Sequence, residues 1–181
     1  MKKNKTHFLT VSAIIAALYC ALTLVVAPIA FGPVQFRVSE VFTVLPLFSL
    51  AAVPGLTVGC LLSNLIGFML GMNPVGLIDA LFGTAATLIA ATITYYIGKS
   101  SGKWLKIIFA PLPPVLLNGI IIGAELTVLS GAFSWSAFTA SIISVALGEL
   151  VVCYPLGVPL MLLLFKKDAK GNLLYQQIFQ V

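Results

Sequence analysis

Apolar residues run along this chain in blocks too long for helices of a soluble core, and too continuous to alternate as strands. A helix that crosses a bilayer needs about 20 largely apolar residues. By that measure six blocks qualify: 8–27, 38–53, 56–72, 75–97, 112–131 and 135–165. Turn-forming residues separate them. Pro28, Gly32 and Pro33 break the first gap, Pro54-Gly55 the second and Asn73-Pro74 the third. Pro111, Pro113 and Pro114 open the fifth block, where a missing N–H costs little. Pro155 and Pro159 are expected to kink the sixth near its end. The expected fold is an all-α integral membrane protein, a six-transmembrane-helix bundle. Residues 1–165 form the transmembrane domain and 166–181 a short cytoplasmic tail.

Composition agrees. Of 181 residues, 60% are hydrophobic and 8% are charged, with mean hydropathy +1.12. A soluble domain carries about a quarter charged residues. The first block follows a basic start but is longer than a signal-peptide core, and further spans follow, so it reads as a retained helix. With six spans, Lys2, Lys3, Lys5, Lys99, Lys103, Lys106, Lys166, Lys167 and Lys170 fall on one side and Arg37 on the other. The positive-inside rule then puts both termini in the cytoplasm. The net charge of +5 is thereby a matter of orientation, and no nucleic-acid partner is implied.

Chemistry enters through the acids. Glu40, Asp79, Glu125 and Glu149 lie within the blocks, where each costs roughly 2.5–3.5 kcal/mol at mid-bilayer. Such groups face an interior cavity and mark function. Asn118 and Glu125 are seven residues apart on one helical face, and Asn64, Gly67 and Gly71 share another. The expected picture is a polar pocket open to the outside. Bland readings stand beside this one: Glu40 paired with Arg37 at i, i+3, and Asp79 as a helix-start anion. One arginine cannot neutralise four carboxylates, so protonated acids or a cationic, donor-rich ligand must close the balance.

Ala13, Ala17 and Ala21 recur every four residues on the first helix, widened by Ser12 and Ala16. That stripe suits close approach by another helix, either within the bundle or from a partner. Cys20, Cys60 and Cys153 read as small buried hydrophobes, with no disulfide or metal spacing. His7 and the two tryptophans, Trp104 and Trp135, read as interfacial. The chain has no P-loop, no H-E-x-x-H and no G-x-S-x-G, so no catalytic, cofactor or metal site is expected.

Four stretches carry a family resemblance: "FGPVQFRVSEVFTVLPLF", "GLIDALFGTAATLIAA", "APLPPVLLNGIIIGAEL" and "ALGELVVCYPLGVPL". With them the chain resembles QueT-type queuosine-precursor transporters, among the substrate-binding S-components of energy-coupling-factor importers. The resemblance implies a bacterial plasma-membrane subunit that captures a small-molecule substrate from outside. Its partners would be a transmembrane coupling subunit, docked at Ala13, Ala17 and Ala21, and two ATPase subunits. The implied substrate is a 7-deazaguanine such as preQ1 or preQ0, or a queuine-like compound. Gln35 and Arg37 would bond its carbonyl, and Glu40, Asn64, Asp79, Asn118, Glu125 and Glu149 would complete the site. A standalone proton-coupled carrier, or an S-component for another cationic or donor-rich heterocycle, is the alternative.

Overall fold

The computed structural model describes residues 5–32, 34–73, 75–100, 102–131, 134–168 and 171–179. The expected break residues Pro33 and Pro74, and Lys2, Lys3 and Lys170, lie outside these. Among the described residues the chain is helical, with an isolated bridge between Lys167 and Leu173.

Helix α1 (Lys5–Val25) is uninterrupted because its run holds neither glycine nor proline. After it, α2 (Ala27–Ala30) begins with Pro28 in its first turn. Next come a 3-10 helix (Val38–Leu47), α3 (Ala52–Met69) and α4 (Leu77–Gly98). A short α5 (Lys103–Phe109) leads into α6 (Leu112–Leu129), which also starts on prolines. Helix α7 (Trp135–Cys153) is capped by the Ser134 hydroxyl, which accepts from the Ala137 N–H at 3.1 Å. It ends where Pro155 removes a donor, and α8 (Gly157–Leu164) resumes with Pro159 in its first turn, so the expected kink falls at Tyr154–Leu156.

Among the described residues, five helical stretches are long and apolar enough to cross a membrane: Lys5–Val25, Ala52–Met69, Leu77–Gly98, Lys103–Leu129 and Trp135–Leu164. Where the sequence suggests a sixth, at 38–53, the structure has the ten-residue 3-10 helix. At roughly 2.0 Å rise per residue it spans about 20 Å, short of the hydrocarbon core. Pro46 lies inside it, and Thr43 turns its hydroxyl back onto the Glu40 carbonyl at 2.5 Å. Both favour the tighter winding. Non-α backbone survives at membrane depth only when protein surrounds it. This segment meets that condition, for Ser39, Glu40 and 43–47 are all buried and it packs against α1, α3, α4, α7 and α8.

Small residues set how closely the helices approach. A Cβ on Gly59 would lie 2.9 Å from both the Ala16 carbonyl and Tyr19 Cβ, and one on Gly55 2.8 Å from the Ser12 carbonyl. Gly119 and Gly123 make the same kind of seam between α6 and α7, against Ala146 and Ile142. The alanine stripe thereby divides. Ser12 and Ala16 face α3, with the Ser12 hydroxyl also donating to the Ala51 carbonyl at 2.8 Å, whereas Ala13, Ala17 and Ala21 are exposed. Gly71 lies beyond α3 with φ +69°, so it ends the helix and does not share the Asn64 face.

The tail docks under the bundle. In α9 (Leu174–Phe179), Phe179 is buried and Tyr175 lies 5.1 Å from the Phe48 ring centroid. His7 Nε2 lies 3.3 Å from the Phe179 carbonyl, so this histidine ties the two ends together.

Gly59→Val forces α1 from α3, and overpacking of this kind costs about 1–3 kcal/mol. A lowered melting temperature in detergent is expected, with Ala13→Val, on the exposed face, within about 0.5 kcal/mol of the parent.

Candidate functional site

The polar residues gather where the 3-10 helix begins. Arg37 precedes it with non-helical backbone (φ −86°, ψ 88°) and is buried. Its guanidinium lies 5.5 Å from the Phe31 ring centroid, and Nη2 donates to Asp79 Oδ2 at 3.3 Å. Asn73 Nδ2 donates to the same oxygen at 2.9 Å. Asn64 Nδ2 donates to the Asp79 carbonyl at 3.0 Å. Asp79 is therefore an ion-pair partner, more than a helix-start anion.

The expected Arg37–Glu40 pair does not form. Neighbouring at i, i+3 needs both residues in the helix, and Arg37 is outside it. Glu40 instead accepts the Tyr19 hydroxyl from α1, and Thr23 and Ser39 bond one turn away at 2.6 Å. Asn118 likewise leaves Glu125: two helical turns separate them, about 10 Å, and Asn118 Nδ2 reaches across to Glu149 Oε1 at 2.8 Å. Cys153 Sγ lies 3.6 Å from the other Glu149 oxygen, and Cys60 Sγ 3.8 Å from Arg37 Nη1. Both thiols, read from sequence as plain apolar filling, border the polar cluster.

Glu125 stands apart. It is 7% exposed, neither carboxylate oxygen has a hydrogen-bond partner, and it lines an apolar groove of about 390 Å³ between α4 and α6, beside Ile78, Phe82 and Val128. Gln35 is buried in the loop above, at a left-handed φ of +49° that a non-glycine residue seldom adopts. The same loop is pressed onto α7, the Val34 carbonyl sitting where a side chain on Gly148 would be.

Tyr19, Asn73, Cys60 and Cys153 were missed by sequence reasoning. Asn73 sits in a turn dipeptide that explains itself, and Tyr19 in an apolar helix gives no sign of which way it faces. Several buried atoms are unpartnered among the described residues: Arg37 Nε, Glu40 Oε2, Asn64 Oδ1, Asp79 Oδ1 and Thr84 Oγ1 in the bundle, and both oxygens of Glu125 at its groove. Buried polar atoms are ordinarily paired, so this many in one interior is unusual. Acceptors outnumber donors among them. No group of three metal-ligating side chains occurs among the described residues.

Long apolar helices enclosing buried acids define a multi-pass membrane protein with a polar interior. The chain belongs to the QueT transporter family, whose model matches residues 9–166. It is 36% identical over 91 residues to "Queuosine precursor transporter QueT" of Lactococcus lactis subsp. cremoris (strain MG1363). That match covers 49% of this chain and spans about half the length (50%) of the relative. No solved structure matches.

Arg37→Met strands Asp79 as a buried unpaired charge, and breaking such a pair costs about 3–5 kcal/mol. Arg37→Met with Asp79→Asn is expected to recover part of that loss in thermal unfolding. A double variant no more stable than the single one would separate the loss from the Asp79 charge.

Proposed function

We propose that this chain is the substrate-binding membrane subunit of an ATP-driven importer of the energy-coupling-factor class, capturing a queuosine precursor from outside. The surplus of unpartnered buried acceptors carries this reading. A 7-deazaguanine brings what they lack. Its N–H and NH₂ edge offers adjacent donors that one carboxylate accepts together, and preQ1 adds an ammonium. Glu125, with two free oxygens, takes the base edge in this assignment. Gln35 and the free Arg37 Nε meet the carbonyl. Glu40, with its free Oε2, and Glu149, which accepts from Asn118, take the ammonium, while Asn64 and Asp79 hold the floor in place. The family match and the relative's name support the substrate class.

The exposed Ala13, Ala17 and Ala21 support docking on a coupling subunit, and a chain without a P-loop needs separate ATPase subunits. With the 3-10 helix and the residues flanking it taken together as the sixth crossing, both termini are cytoplasmic in the plasma membrane. Uptake by the purified chain alone, driven by a pH gradient without ATP, would instead make it a self-sufficient carrier.

Calorimetry tests the site. Glu125→Gln turns one acceptor into a donor facing the ligand's donors, with an expected affinity loss of at least tenfold, about 1.4 kcal/mol. Glu149→Gln is expected to weaken preQ1 more than uncharged preQ0. Unchanged affinities in both variants would return these acids to a structural role.

Docking is tested separately. Ala17→Trp is expected to abolish pull-down of the energising subunits and uptake while ligand binding to the isolated chain is kept. Normal complex formation in this variant would remove the stripe from the interface.

A further inference from the structure

A second pocket lies at the lysine-rich end of the bundle and shares no residue with the acidic cluster. It holds about 310 Å³ among Tyr95 and Lys99 at the end of α4, Lys106 on α5, Phe165 after α8, and Tyr175 and Gln176 of α9. Its charge is of one sign, for no carboxylate is among its lining residues. Among the described residues neither Lys99 nor Lys106 has a carboxylate within ion-pair distance. Lys99 Nζ lies 4.4 Å from the Tyr95 ring centroid and 5.1 Å from that of Tyr96. A third ammonium, Lys103 Nζ, lies 5.5 Å from the Phe165 ring centroid. Phe48, Phe165 and Tyr175 pack edge-on and tilted as one wall, with centroids 5.0 and 5.1 Å from Phe48.

The residues lining this volume of headgroup size carry two ammoniums, two tyrosine hydroxyls and an amide, all donors suited to a phosphate. The surroundings distinguish a lipid from a free anion. Helix α5, which carries Lys106, also carries Trp104, Leu105, Ile108 and Phe109, all 45–72% exposed. A free phosphate has no use for that apolar flank, whereas acyl chains leaving the pocket would run along it.

We propose that this pocket seats the phosphodiester headgroup of an anionic phospholipid, from the leaflet that the lysines face. Lys99 and Lys106 bind the phosphate, Gln176 and the tyrosines its remaining oxygens, and α5 the first part of the acyl chains. Because α9 and the end of α4 both line the pocket, the bound lipid also fixes the C-terminal segment against the bundle. The proposal is independent of the transported solute.

Native mass spectrometry of the full chain, released from nanodiscs of mixed phosphatidylglycerol and phosphatidylcholine, tests it. The expected result is selective retention of phosphatidylglycerol. Retention falls at least about tenfold in Lys99→Gln/Lys106→Gln and is kept in Lys166→Gln/Lys167→Gln, which removes equal charge outside the pocket. Equal retention of the two lipids, or equal loss in both double variants, would overturn the site. Displacement of the lipid by millimolar inorganic phosphate would assign a small-anion site and overturn the lipid. Should Lys99→Gln/Lys106→Gln fail to melt cooperatively, Lys106→Gln and Gln176→Leu, each alone, supply the same comparison.

Discussion

The ion pair between Arg37 and Asp79 is the constraint on which the interior depends. Removing two charges from water costs several kcal/mol per ion, repaid only by good geometry and further hydrogen bonds. Asn73 supplies one of those bonds, and the Phe31 ring covers the guanidinium. The pair ties Arg37, just ahead of the 3-10 helix, to α4, and so fixes where that helix enters the bundle. Glu40 is thereby delivered to Tyr19 on α1, and Glu149 lies beyond it, bonded to Asn118. One arginine therefore organises acids from three other segments without neutralising them all.

That arrangement needs irregular backbone in the centre of a membrane protein. The 3-10 segment is tolerated because helices enclose it, and they come close enough because glycines line their contacts. Gly98 receives the Leu47 carbonyl at the far end of the segment, as Gly148 receives Val34 at the near end. A side chain at either glycine would meet backbone, which cannot move aside as a flexible side chain can. The packing that holds the segment and the placement of the polar groups are thus one problem with one solution.

Charge is sorted along the molecule. Glu40, Asp79, Glu125 and Glu149 lie buried in the bundle, and Lys99 and Lys106 line the pocket at one end, so an acceptor-rich interior coexists with a donor-rich rim. The two proposed ligands are accordingly opposite in character, a donor-bearing solute within and a phosphate at the rim.

Much of this was legible in the residues themselves. Hydropathy alone located the five long helices, Pro155 the break before α8, and the cost of charge in lipid the acids worth following, because each depends on local composition against a fixed bilayer thickness. Ala13, Ala17 and Ala21 were visible as a stripe, but their exposure, with Ser12 and Ala16 turned inward, depended on where α3 packs. The partners of the acids were not legible. Helical spacing suggested Arg37 with Glu40 and Asn118 with Glu125, whereas the bonds formed run between elements: Arg37 to Asp79, Tyr19 to Glu40, Asn118 to Glu149. Periodicity states which residues share a face of one helix. Which faces meet is decided by close packing among helices distant in the chain, and hydrogen bonds in a dry interior go to whatever that packing brings within reach.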